Sequence, residues 1–228
     1  NDTDEFNRWN SAQQLGLNIM LSLVNDYQQN KALSLDGFFI ETFKKILQDE
    51  SLDKALAARI LSLPSEDYMA QQMDVIDVDA IHDVREFCKH TLAFELMDEF
   101  SSCYGANQCK AYSLSPEDIG QRSLKNICLS YMMSSQTGTA KSQAILFAEQ
   151  QLKQANNMTD QIAALSSLAH YSDEAGERAL SDFYLQWSED TLVIDKWFSV
   201  QATVSGKNAF QRVQKLLAHE AFDMTVPN

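Results

Sequence analysis

Three side chains able to hold a metal ion stand at helical spacing: His82, Glu86 and His90 fall at i, i+4 and i+8, along one stripe of any helix that covers them. Three ligands spread over two helical turns of about 5.4 Å each cannot all reach one ion. With Asp83, Arg85 and Lys89 beside them, they describe instead a solvated face with i,i+4 pairs. A second arrangement, His219-Glu220-Ala221-Phe222-Asp223, has the form of the zinc-peptidase motif H-E-x-x-H with Asp in the last place. That motif needs two imidazoles on one helical turn and a third ligand further along, and the sequence stops at Asn228. His219 is expected instead at a helix C-terminus, near the negative end of the dipole.

Asp195, Lys196, Trp197 and Phe198 place an ion pair beside large aromatics on an otherwise apolar run, which could orient a substrate but more often ties helices together. The polar cluster in ANNMTDQIAAL (155 to 165) could be an active-site loop. Local chemistry favours a helix corner: Asn156 and Asn157 at the end of one helix, Thr159 as the N-cap of the next, and Asp160 adding negative charge at its start. No G-x-S-x-G, phosphate-cradling glycine loop or complete H-E-x-x-H is present.

The elements that must position these residues read as helices. Phe6, Trp9, Gln13, Leu17, Met20, Val24 and Tyr27 advance by threes and fours along one face, with Asp2 or Thr3 as cap. A second helix follows Ser34 and buries Phe39, Phe43 and Ile46; a third runs from about Asp53 to Leu63, stopped by Pro64; Ser65 caps a short one. Residues 77 to 104 form the longest predicted helix, with Ile81, Val84, Cys88, Leu92, Leu96, Phe100 and Cys103 on one face and Gly105 as terminator. Ser115-Pro116-Glu117-Asp118 is a strong helix start. Further helices are predicted near 116–134, 139–155, 160–171, 174–188, 192–204 and 207–219, the last four as two hairpins, with 192–204 apolar nearly all round and therefore buried.

No stretch alternates with period two long enough for a strand, and 7 Gly with 3 Pro are too few for the turns of a β-sandwich. The fold class is therefore all-α, with antiparallel helical hairpins stacked into an irregular α/α superhelix over a single domain, 1–228. With 18 Lys+Arg against 32 Asp+Glu, the net charge of −14 repels nucleic acid and anionic membranes, and no apolar run reaches the length of a membrane span. The four cysteines lack a C-x-x-C and mostly fall on helix faces, as free thiols of a reducing, cytoplasmic compartment do.

Four strings, in order, carry a family resemblance: DTDEFNRWNSAQQL (2 to 15), LPSEDYMAQQMDVIDVDAIHDVRE (63 to 86), ANNMTDQIAAL (155 to 165) and LVIDKWFSVQAT (192 to 203). Together they resemble the helical C-terminal domain of bacterial aminopeptidase N, in the M1 family of zinc metallopeptidases. The resemblance implies a piece of a larger enzyme, with zinc, G-A-M-E-N and H-E-x-x-H in a catalytic domain that is not part of this sequence, and with helices continuing beyond Val226-Pro227-Asn228. It implies no catalytic or metal-binding residue here and no cofactor bound by this piece. The implied partners are the catalytic and β-sandwich domains of the same polypeptide and a peptide substrate whose cavity this domain walls.

On that basis Arg8 and Trp9 are the candidates for an interdomain contact. Asn156, Asn157, Asp160, Asp195, Lys196 and Trp197 are the candidates for facing other domains or the cavity. Two rival readings follow from the residues alone: a free-standing helical-repeat scaffold that binds a peptide or protein, and an independent hydrolase using the histidines.

Overall fold

The computed structural model describes residues 4–109, 111–136 and 138–225. Among them every regular element is a helix: α1 (Glu5–Gln28), α2 (Gly37–Gln48), α3 (Lys54–Leu61), α4 (Glu66–Ala70), α5 (Val78–Glu95), α6 (Met97–Ala106), α7 (Pro116–Met133), α8 (Gly138–Gln154), α9 (Met158–Tyr171), α10 (Asp173–Trp187), α11 (Thr191–Ala202) and α12 (Ala209–Leu217). The chain divides into two compact units, Asn1–Ala140 and Lys141–Asn228.

Side-chain caps set most helix starts in the first unit. The side chains of Asp4, Asp36, Asp53, Ser65, Asp77 and Ser115 each accept a backbone N–H from the first turn they precede. Four of these six are aspartates, so part of the acidic excess answers the positive helix ends. The predicted caps Asp2 and Thr3 lie outside the described residues, and Asp4 caps α1 through Asn7 N at 2.9 Å.

The core of this unit is built on α7, which packs against α3 and α6, while α1 lies on α5 and α3. Tyr131 of α7 is 1% exposed. It stacks on Phe100 of α6 at 4.6 Å, meets Phe43 of α2 edge-on at 6.0 Å, and donates its hydroxyl to Leu61 O at 2.7 Å. Three helices and the end of a fourth are thus tied to one ring whose polar tip is satisfied.

The predicted helix over 77–104 is two helices. Leu96 leaves helical geometry, with φ −123° and ψ 25°, yet its N–H still reaches Leu92 O and its carbonyl accepts from Phe100 N. The kink keeps Leu96 and Phe100 both buried and sends Glu99 to the Lys44 ammonium of α2 at 3.0 Å. Gly105 lies inside α6, which is capped at Asn107.

In the second unit α9 and α10 form one antiparallel hairpin and α11 with α12 another. The first is held close by Gly176: a Cβ there would stand 2.7 Å from Leu168 O, so no larger residue fits without moving the backbone. The expectation that the helix near 192–204 is buried all round is corrected. Val193, Ile194, Trp197 and Val200 are buried, but Leu192 is 69% exposed and Lys196 and Ser199 face solvent. Its apolar residues cover one face rather than the whole cylinder.

Candidate functional surfaces

The metal-spaced histidines are drawn to different partners. His82 Nδ1 lies 2.9 Å from Glu66 Oε1 of α4, while His90 meets Gln136 Nε2 at 2.9 Å and Glu86 at 3.6 Å. Among the described residues no three His, Cys, Asp or Glu side chains are grouped to hold an ion. His82, Glu86 and His90 thus do not converge on one point as ligands of a single ion would.

His219 lies beyond the C-cap of α12, Ala218, rather than in a helical last turn. Its Nδ1 accepts from Ala221 N at 3.2 Å, while Asp223 turns away to accept from the Thr225 N–H and hydroxyl. The imidazole instead packs among Tyr184, Trp197 and Phe198, with centroids 5.1, 5.3 and 5.5 Å away. It fastens the segment after α12 to α10 and α11.

The same cluster explains Trp197. Its indole N–H donates to Leu180 O at 2.9 Å and its ring lies 4.9 Å from Tyr184, so it staples α11 to α10. Asp195 and Lys196 do not form a buried pair: Lys196 is exposed and Asp195 half-buried. Neighbours in sequence point about 100° apart on a helix, which keeps i,i+1 charges from facing each other.

The 155–160 segment is a corner, and its cap is Asn157 rather than Thr159. Asn157 Oδ1 accepts from Asp160 N at 2.9 Å, and its Nδ2 donates to the Asp160 carboxylate at 3.1 Å and to Asn156 Oδ1 at 3.1 Å. Asp160, only 5% exposed, also takes Gln151 Nε2 on its carbonyl at 3.0 Å, joining α9 to the end of α8. Thr159 falls at the second helical position and is exposed.

At the other end of the chain, Arg8 is exposed and Trp9 half-buried against Phe6, whose ring lies 5.7 Å away and is itself 65% exposed. Hydrogen bonds from Ser51 first, and the Arg8 charge last, hold the Asp49 carboxyl below its ordinary range.

Hollows are not visible in a sequence, and two lie along the helices just described. One, of about 900 Å³, opens along α5 and the start of α6 between Phe87, Phe94 and Met97, with Asp83, Glu86 and His90 on its polar side. Asp83 there accepts from the Tyr27 hydroxyl at 2.5 Å, which raises the phenol pKa. The other, of about 560 Å³, lies between α8, α9 and α10 over Leu152, Leu168 and Phe183. Arg178 crosses its rim to Glu149 at 3.1 Å and to Glu174 at 2.7 Å, and Glu149 then Glu174 raise its pKa. Two of the cysteines are poor nucleophiles: burial pushes Cys88 up to about 12, and Cys128 rises well above a free thiol because it hydrogen-bonds Cys103, whose own pKa that bond lowers.

Comparison with known proteins extends over the whole chain. The family model described as "Domain of unknown function (DUF3458_C) ARM repeats" matches residues 1–228. Aminopeptidase N of Escherichia coli is 39% identical over 225 residues, covering 99% of this chain and 25% of that protein. Aminopeptidase N of Haemophilus influenzae is 32% identical over 225 residues, again 99% of this chain and 25% of the relative. Among solved structures, that of Legionella pneumophila aminopeptidase A in complex with aspartic acid has a TM-score of 0.84 at 28% identity, over 99% of this chain and 27% of that one. The chain thus spans about a quarter of the length of the curated relatives it matches.

Proposed function

We propose a function from a settled premise: the chain belongs to the DUF3458_C family of ARM repeats and is homologous to part of aminopeptidase N. In this proposal residues 1–228 act as one non-catalytic C-terminal helical domain of an M1 zinc aminopeptidase, which releases N-terminal amino acids from peptides in the cytoplasm. The domain caps the active site and walls the cavity that admits the peptide. Zinc and the bond-breaking residues lie in the catalytic domain of the same polypeptide, which with the β-sandwich domain is the partner of this one.

The observation that carries the proposal is the 39% identity running over 99% of the chain. A shared fold alone would leave function open. Identity at that level over nearly the full chain supports descent from the same enzyme. The hollow along α5 supports the cavity role, since a volume of about 900 Å³ lined by aromatic, Met and acidic side chains suits a peptide better than a flat helix face does.

The test is an anilide assay on the full-length protein and on residues 1–228 alone. Full-length protein is expected to release aminoacyl anilides and to lose that activity to a chelator, while residues 1–228 are inert with zinc added. Turnover by residues 1–228 that survives repurification, or an intact full-length protein without any, would overturn the proposal. Cavity walling predicts in addition that Phe94→Ala changes the ratio of turnover on long peptides to turnover on anilides. An unchanged ratio places that hollow outside the substrate path.

A further inference from the structure

Residues 74–79 read DVIDVD, three acids interspersed with three β-branched apolar side chains. Val75, Ile76 and Val78 are 81%, 57% and 67% exposed. Val and Ile are among the residues most often fully buried, and three exposed within four positions make a patch rather than scatter. Beside them a hollow of about 600 Å³ opens against α1, with Leu21, Val24 and Met73 in its lining.

The patch is held in place at its C-terminal side. Asp77 caps α5 through Ala80 N at 3.1 Å, and its other oxygen takes Gln28 Nε2 of α1 at 2.9 Å. Asp74 and Asp79, both exposed, flank the apolar side chains and form no ion pair among the described residues. The backbone N–H groups of Asp74, Val75 and Ile76 donate no hydrogen bond among the described residues.

We propose that Val75, Ile76, Val78 and the adjoining hollow are a docking ledge for another domain of the same full-length aminopeptidase polypeptide, through an apolar surface rimmed by Lys or Arg. This rests on the functional reading above. Two observations select the occupant. The matched stretch is 25% of the length of the aminopeptidase N relatives, so most of such a polypeptide lies outside these residues and is covalently linked to them. The ledge also carries unpaired aspartates on a chain of net charge −14, which favours a basic rim and disfavours a second copy, because a two-fold contact would set aspartates against aspartates.

The experiment uses the full-length protein with the photoreactive residue p-benzoylphenylalanine in place of Ile76, and Glu50, also exposed, as the control position. After irradiation of the monomeric fraction, the crosslinked peptide is expected to lie outside residues 1–228 and to contain Lys or Arg within a few residues of the attachment. Its yield should exceed that from position 50 at least tenfold. Amide exchange at Val75 and Ile76 in the same protein should be at least 100-fold slower than in an unstructured peptide.

Crosslinks to a second copy, crosslinks confined to residues 1–228, or a yield no higher than the control would each overturn the ledge. Anilide turnover in the same preparation separates the two levels. Active protein that fails the crosslink refutes the ledge alone, whereas inactive protein refutes the aminopeptidase reading itself.

Discussion

Replacing Asn157 by Ala tests the corner between α8 and α9 most directly. The substitution removes the cap on Asp160 N and the amide donated to the Asp160 carboxylate. Loss of a cap costs about 1 kcal/mol, and loss of a hydrogen bond to a charged group typically about 1.5–3 kcal/mol. Asp160 keeps other contacts, so the sum should fall near the lower end, about 2–3 kcal/mol. In a chain of this size that lowers Tm by roughly 4–12 °C. Thr159→Ala, at an exposed second position, should cost under about 0.5 kcal/mol. Asn157→Ser keeps a capping oxygen but has no amide for Asp160, so it should fall between the two. The assay is thermal unfolding of the three variants beside the parent. Equal or greater loss in Thr159→Ala than in Asn157→Ala would refute the assignment of the cap and, with it, the account of the corner.

Other positions give independent checks. Tyr131→Phe keeps the stack on Phe100 but leaves the Leu61 carbonyl without its hydroxyl donor, a cost of about 1–3 kcal/mol visible as a lower urea midpoint. Burial pushes the Lys89 ammonium down to about 8, against the opposing pull of Glu86. A lysine lowered in the folded state is a burden below that pH, because the unfolded chain holds the proton more readily. Its contribution to stability should therefore improve between about pH 8 and its ordinary pKa of 10.5, and Lys89→Met should raise Tm at pH 7 and flatten that rise. Cys88 and Cys128, buried and with raised pKa values, should resist iodoacetamide at pH 8 until denaturant is added, whereas half-buried Cys109 is alkylated first; peptide mass spectrometry reads the order.

The signals legible in the sequence are those that act over four or five residues. The α7 start at Ser115-Pro116 and the caps Asp53 and Ser65 depend only on a side-chain oxygen and the amides just after it, so their positions could be read directly. The same reasoning placed the α9 cap two residues late, because Asn157 and Thr159 can both cap and only the packing of Asp160 against Gln151 chooses between them. The break at Leu96 left no trace for a different reason. Leu92, Leu96 and Phe100 continue the spacing across it, no Gly or Pro marks it, and one residue's change in φ keeps the flanking hydrogen bonds intact.

The surfaces that bear on function belong to tertiary structure and escape local pattern altogether. Val75 and Ile76 look like ordinary core residues in the sequence, and only the placement of α1 beside the 71–77 segment leaves them exposed beside a hollow. Phe94 shows the same effect: it lies within a helix whose apolar period selects Ile81, Val84, Cys88 and Leu92 for the core, and that choice turns its ring outward, 81% exposed, along the groove. Periodicity identifies the face a helix buries, so its informative exceptions are the large apolar residues that fall off that face. In this chain those exceptions mark the two surfaces whose roles the crosslinking and peptide-length assays would decide.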